Sequence, residues 1–124
     1  MKFLIIFLFL PIFGLAQNVE SRQAFLAING KRSELKLRKL SYSSDKQTEC
    51  DAQAVLYSIG QENKLSCDGC LDEIKYEAGS MSDLLKKIID PKAKHMAEDQ
   101  TGVTVSVMVI DSKYFAVIRT QKPF

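Results

Sequence analysis

The stretch Val103-Thr-Val-Ser-Val-Met-Val-Ile110 sets a valine at every second position, and Asp111-Ser112-Lys113 separates it from a second apolar run, Tyr114-Phe-Ala-Val-Ile-Arg119. Alternation of period two puts Val103, Val105, Val107 and Val109 on one face of a strand, and the polar triplet predicts an antiparallel hairpin with a three-residue loop. A hairpin alone is marginal in water. Its valine face needs a cover, and the residues before it supply three helical segments. The expected fold class is therefore α+β, with three helices followed by a C-terminal antiparallel β-hairpin packed on them.

Working back from the hairpin, Ser80 or Ser82 can cap a helix containing Leu84, Leu85, Ile88 and Ile89, which Asp90-Pro91 ends because the proline ring disfavours a helical residue before it. Residues 46–59 form another, with Ala52, Val55, Leu56 and Ile59 on one face and Gly60 as its stop. Between these two, residues 61–76 read as a polar, cysteine-bearing loop. The first helix is expected from a Ser21 cap to about Leu40, with Phe25, Ile28, Arg32 and Leu35 at steps of three and four. Gly30 interrupts it, which predicts either two shorter helices or a close contact at that glycine.

The N-terminus reads MKFLIIFLFLPIFGLAQ: Lys2, an unbroken apolar run, then Gly14 and Ala16. This is the three-part pattern of a signal peptide over residues 1–16, leaving a single domain over residues 17–124. The apolar run of roughly 11 residues covers only about half of a ~30 Å hydrocarbon core, so no transmembrane anchor is expected after cleavage. Hydrophobic residues make up 46% of the chain and charged ones 26%, which places it among ordinary globular proteins and excludes collagen-like, coiled-coil and wholly disordered chains.

With Lys2 removed, the net charge falls from +2 to about +1, so bulk charge selects no partner. Its distribution is uneven. Residues 20–40 are mostly basic and residues 45–73 mostly acidic. Lys31, Arg32, Lys36, Arg38 and Lys39 form a candidate basic patch for an acidic glycan, anionic lipid or nucleic acid. The plainer reading, a solvated helix face turned to the acidic segment of the same molecule, fits better, because nucleic-acid modules add interleaved aromatics and a strongly basic total. No nucleic-acid partner is expected.

The cysteines Cys50, Cys67 and Cys70 are all disulfide candidates in an oxidising compartment. Three pairings are open, and the odd thiol leaves a covalent dimer open as well. A bridge from Cys50 to either of the others would be worth on the order of 3 kcal/mol through the unfolded state. Cys67-Asp-Gly-Cys70 has the spacing of a redox or half-zinc site. However, a polar connection precedes it, acidic neighbours oppose a thiolate, and Cys50 with the lone His95 makes a poor second ligand pair. His95, beside Lys94, reads as solvent-facing, and Ser66, Ser80 and Ser82 as caps or loop polars. No catalytic, cofactor-binding or metal-binding residue is assigned, and no N-linked sugar acceptor occurs.

Phe25-Leu-Ala-Ile-Asn-Gly-Lys-Arg-Ser-Glu-Leu35, Leu40-Ser-Tyr42, the alanine-bearing helix leading to Leu65-Ser-Cys67, and Asp90-Pro-Lys92 before a late strand pair resemble the shortened, degenerate CAP (SCP-like) secreted domains of nematodes. The same order of pieces also fits a small uncharacterised family of nematode secreted proteins. Full-length CAP domains present a cleft of two histidines and two acidic residues; here His95 stands in none of the family's histidine motifs. The resemblance therefore implies a secreted, non-catalytic remnant. The expectation is an extracellular protein that binds another protein or a matrix component. The alternatives are a carrier holding a lipid or sterol against the valine face, or a protease inhibitor.

Overall fold

The computed structural model describes residues 18–61, 64, 65, 67 and 69–121; the expected leader lies outside them. Three α-helices, α1 (Val19–Glu34), α2 (Gln47–Ser58) and α3 (Met81–Ile88), alternate with four strands, β1 (Ser41–Tyr42), β2 (Cys70–Ala78), β3 (Gly102–Ile110) and β4 (Lys113–Gln121). The strands join in one mixed sheet of order β1-β3-β4-β2, with β1 parallel to β3 and the other pairs antiparallel.

This corrects the expected arrangement of three helices followed by a lone hairpin. The late hairpin is present as β3 and β4, but β2 is inserted between α2 and α3 and pairs along β4, from Cys70 opposite Gln121 to Ala78 opposite Tyr114. The second part of the segment expected as a polar loop, from Cys70 on, is thus an edge strand that runs to Ala78, with Ile74, Tyr76 and Ala78 at alternate positions and charged residues between. The hairpin loop has two residues instead of three. Ile110 pairs with Lys113, and Asp111 and Ser112 both take positive φ (50° and 63°), as a tight type I′ turn requires.

The two faces of the sheet differ. Val103, Val105, Val107, Ala116 and Ile118 pack against Ala24 and Ile28 of α1 and Leu84 and Ile88 of α3, forming the main apolar core. On the other face, α2 lays Cys50 and Ala54 on Val117, with Tyr57 and Met108 around them. Burying both faces explains why Thr104 and Ser106, polar residues that alternate with the valines, are as buried as the valines themselves. Of the expected valine face, Val109 alone is exposed.

The helix ends follow local chemistry. Asn18, not Ser21, caps α1: its Oδ1 accepts from the Ser21 N–H at 2.8 Å, while the Ser21 hydroxyl accepts from the Val107 N–H at 2.8 Å and ties the helix to β3. The helix passes through Gly30 unbroken, and a Cβ there would meet nothing within 4 Å, so neither the expected break nor a close contact exists. It stops at Glu34, earlier than expected, because Lys36 turns left-handed (φ 60°) and the Leu37 and Lys36 N–H groups close back on the Arg32 and Ser33 carbonyls. Gly60 (φ 79°) closes α2 in the same way. Ser80, rather than Ser82, caps α3, accepting from the Asp83 N–H at 3.1 Å.

Candidate functional site

On β4, Phe115, Val117 and Arg119 occupy alternate positions and face α2. Arg119 stands opposite Glu73 of β2 and Thr104 of β3. Its side chain is 1% exposed and that of Glu73 8%, and the Arg119 Nε–H donates to Glu73 Oε1 at 2.8 Å. Nη2 donates to Gln53 Oε1 of α2 and to the Leu65 carbonyl, both at 3.0 Å. Gln53 Oε1 also accepts from the Leu65 N–H at 2.7 Å, so this one buried group pins the connection after α2 to the sheet. The Nη1 atom of Arg119 is buried with no hydrogen-bond partner.

Arg119 forms part of the wall of a pocket of about 230 Å³, completed by Lys64, Leu65, Cys67, Cys70, Leu71, Asp72 and Glu73. A disulfide joins Cys67 to Cys70, with their Cα atoms 5.5 Å apart across a turn in which Gly69 takes φ 83° and the Cys70 N–H donates to the Cys67 carbonyl at 3.2 Å. The register slips by one residue between Cys70 and Glu73, a bulge. There the Asp72 N–H donates to Thr120 Oγ1 at 3.2 Å. The Asp72 carboxylate is held by Lys94 at 3.7 Å and by the Gln100 side-chain amide at 3.3 Å. The arrangement is a small recess walled by the Arg119–Glu73 ion pair, Leu65, Leu71 and the Cys67–Cys70 bridge.

A second polar cluster lies at the start of α2. The Ser106 hydroxyl donates to Asp51 Oδ1, to which Gln47 Nε2 also donates at 2.7 Å, and Tyr42 donates to Gln47 Oε1 at 2.7 Å. Burial, and then the charge of Asp51, push the Tyr42 phenol above its ordinary range. With Ser106 buried, the cluster anchors α2 to β3.

The disulfide settles which thiol is odd. Cys50, the free one, is 0% exposed, its sulfur 3.5 Å from the Val117 carbonyl, and burial pushes its pKa up to about 11. The covalent dimer left open by the sequence would need this thiol at the surface, and the fold closes α2 over it. His95 is also 0% exposed, against the expectation of a solvent-facing ring. Its Nε2–H donates to the Ile88 carbonyl, and its ring stands edge-on to Tyr76. Burial lowers the His95 pKa, and the charge of Arg32 adds to the lowering, while the Ile88 carbonyl and Asp90 oppose it.

The basic patch divides. Arg32 is buried under the 94–97 turn, donating through Nε to the Arg38 carbonyl at 2.7 Å and through Nη1 to the His95 and Ala97 carbonyls at 3.0 and 2.9 Å. Burial, and then the nearby Arg38, lower its pKa. Lys31 pairs with Glu34 at 3.3 Å. Lys36, Arg38 and Lys39 remain exposed on the strap after α1, which is not helical. The ion pairs found on the acidic segment are made by Lys94 and Arg119, not by this patch.

Sequence reasoning did not single out Arg119, Glu73 or Gln53. The available signal was a charged residue two places beyond Val117 in an apolar strand, where alternation puts it on an inward face. Among the described residues, no group of three or more His, Cys, Asp or Glu side chains is gathered for a metal ion, and no helix is long and apolar enough to cross a membrane.

No family model and no curated protein matches the chain. Among solved structures it is similar to an outer surface protein of Borrelia burgdorferi, with a TM-score of 0.64 and 11% sequence identity over 86% of this chain and 95% of that one. At that identity the likeness shows a shared fold.

Proposed function

We propose that this chain is an extracellular protein that acts by contact, binding another protein or a matrix component through its surface and turning over no substrate. The observation that carries the reading is the position of its two most reactive groups: the one histidine and the one free thiol are fully buried, each set against a backbone carbonyl. Groups so placed stabilise the fold and meet no substrate. The signal-peptide pattern and the resemblance to short CAP-type domains support an extracellular site of action, and the fold it shares is that of an outer surface protein. The valine face that a lipid or sterol carrier would use is filled by α1 and α3, which favours contact over carriage.

The test is photo-cross-linking of the mature chain from the outward positions Val55 and Ile59, 41% and 60% exposed, in the medium of its source organism. The expected result is one partner captured from both positions and lost when Val55→Glu is introduced beside the Ile59 probe. The reading fails if neither position captures a partner above probe-free controls, or if the purified chain turns over a substrate.

A further inference from the structure

We propose that the strap after α1, which carries Lys36, Arg38 and Lys39, is a docking surface for a sulfated matrix glycan. The proposal rests on the reading of an extracellular contact protein and names the chemistry of one partner, at a surface other than the outward face of α2. The sequence suggested that these cations turn to the acidic segment of the same molecule, and the fold leaves them outside any such arrangement. All three are exposed, and among the described residues none of them enters an ion pair. Five basic residues and one acidic one lie between positions 31 and 39, whereas the whole chain has a net charge of only +2. Positive charge is therefore gathered here and not spread evenly over the surface.

Buried Arg32 holds the strap in place. Its guanidinium donates to the Arg38 carbonyl on one side and to the His95 and Ala97 carbonyls on the other, which fixes the strap against the turn that carries Lys92 and Lys94. Arg32 itself is closed off from any ligand and acts as a positioning residue. No carboxylate among the described residues pairs with it, and Arg38 lies near enough for the two like charges to oppose each other. An anion over the strap relieves that repulsion. Most acids next to these segments are engaged: Glu34 with Lys31, Asp72 with Lys94, and Asp90 with the Lys92 N–H. Glu98 and Asp99, exposed beyond the turn, are the acids that limit the site.

The physics of exposed charges selects the ligand. Single ion pairs at the surface are weak, so a small anion that meets one of these side chains gains little. Residues 36–39 span at most about 14 Å of chain, and a polymer with anionic groups repeated along it meets several cations at once. Sulfate groups also give Arg and Lys several charged acceptor oxygens each. A lipid surface fits less well. Of the leucines interleaved with these cations, Leu37 is half-buried and Leu40 buried, which leaves Leu35 alone to insert into a bilayer.

The experiment measures binding of the disulfide-intact mature chain to immobilised heparin by surface plasmon resonance, beside fully desulfated heparin and phosphatidylserine vesicles. Heparin is expected to bind saturably, with an affinity that falls at least about tenfold between about 50 and about 200 mM salt. The variant Lys36→Asn/Arg38→Gln/Lys39→Gln should bind at least about tenfold more weakly and keep the parent's melting temperature, since all three side chains are exposed. Arg22→Gln/Lys64→Gln/Lys86→Gln removes the same charge from other exposed positions and should stay within about threefold of the parent. The proposal is overturned if the parent does not bind heparin, if desulfated heparin or the vesicles bind as tightly, or if the strap variant loses no more affinity than the scattered one. Such a failure beside successful cross-linking from α2 would remove the glycan site and leave the contact function standing.

Discussion

The His95 ring, held through Nε2–H to a carbonyl with Nδ1 left bare, is kept neutral by the fold. In the unfolded chain it titrates near about 6.5, and in the folded chain burial holds its pKa lower. The unfolded state therefore binds more protons. This contribution to stability is fully present above the unfolded pKa and is lost as pH falls through it toward the folded one. The urea midpoint should drop between about pH 7.5 and about pH 5.5, and His95→Gln should remove most of that drop; a midpoint equally pH-dependent in parent and variant would refute the assignment. Cys50 makes a second prediction at the same scale. With its pKa near 11 and no exposure, it should resist a thiol reagent at pH 8 and react stoichiometrically once urea unfolds the chain. Fast labelling of the native protein, or a dimer on a non-reducing gel that reductant dissolves, would contradict the closed packing of α2.

At the level of elements, the two serines before α3 separate a real cap from an apparent one. Ser80→Ala removes an acceptor from the Asp83 N–H and should cost about 1 kcal/mol in urea denaturation, whereas Ser82→Ala, on an exposed helical residue, should stay within about 0.5 kcal/mol. Equal effects would mean that the helix begins elsewhere. Features of this kind were legible in the sequence because they are local: the Gly60 stop, the Asp90-Pro91 end and the alternating valines act within a few residues. Strand β2 was not legible in this way. Its apolar positions, Ile74, Tyr76 and Ala78, alternate correctly, but four of the nine residues of the strand are charged. Those charges are tolerated because β2 is an edge strand and because Arg119, Lys113 and the Tyr57 ring receive Glu73, Glu77 and Lys75.

For the whole molecule, the decisive quantity is how much of its stability comes from packing and how much from the bridge. Cys67–Cys70 closes a loop of only four residues, so the chain-entropy argument gives it about 2 kcal/mol, below the roughly 3 kcal/mol of the longer loops that Cys50 would have closed. Reduction should lower the melting temperature by several degrees and leave the far-ultraviolet circular dichroism of the folded state unchanged at 25 °C. Unfolding on reduction would show that the three-layer core is weaker than its two covered faces suggest.

By itself the sequence determined three helices and a late antiparallel strand pair. Each of these rests on short-range periodicity or on a capping residue. The tertiary structure alone decided that β2 joins the sheet, that Cys67 pairs with Cys70, that Arg32 and His95 are interior, and that Arg119 sits beneath a recess. These outcomes depend on which distant segments share a face, a property of the folded sheet and its helices that no local window of residues contains.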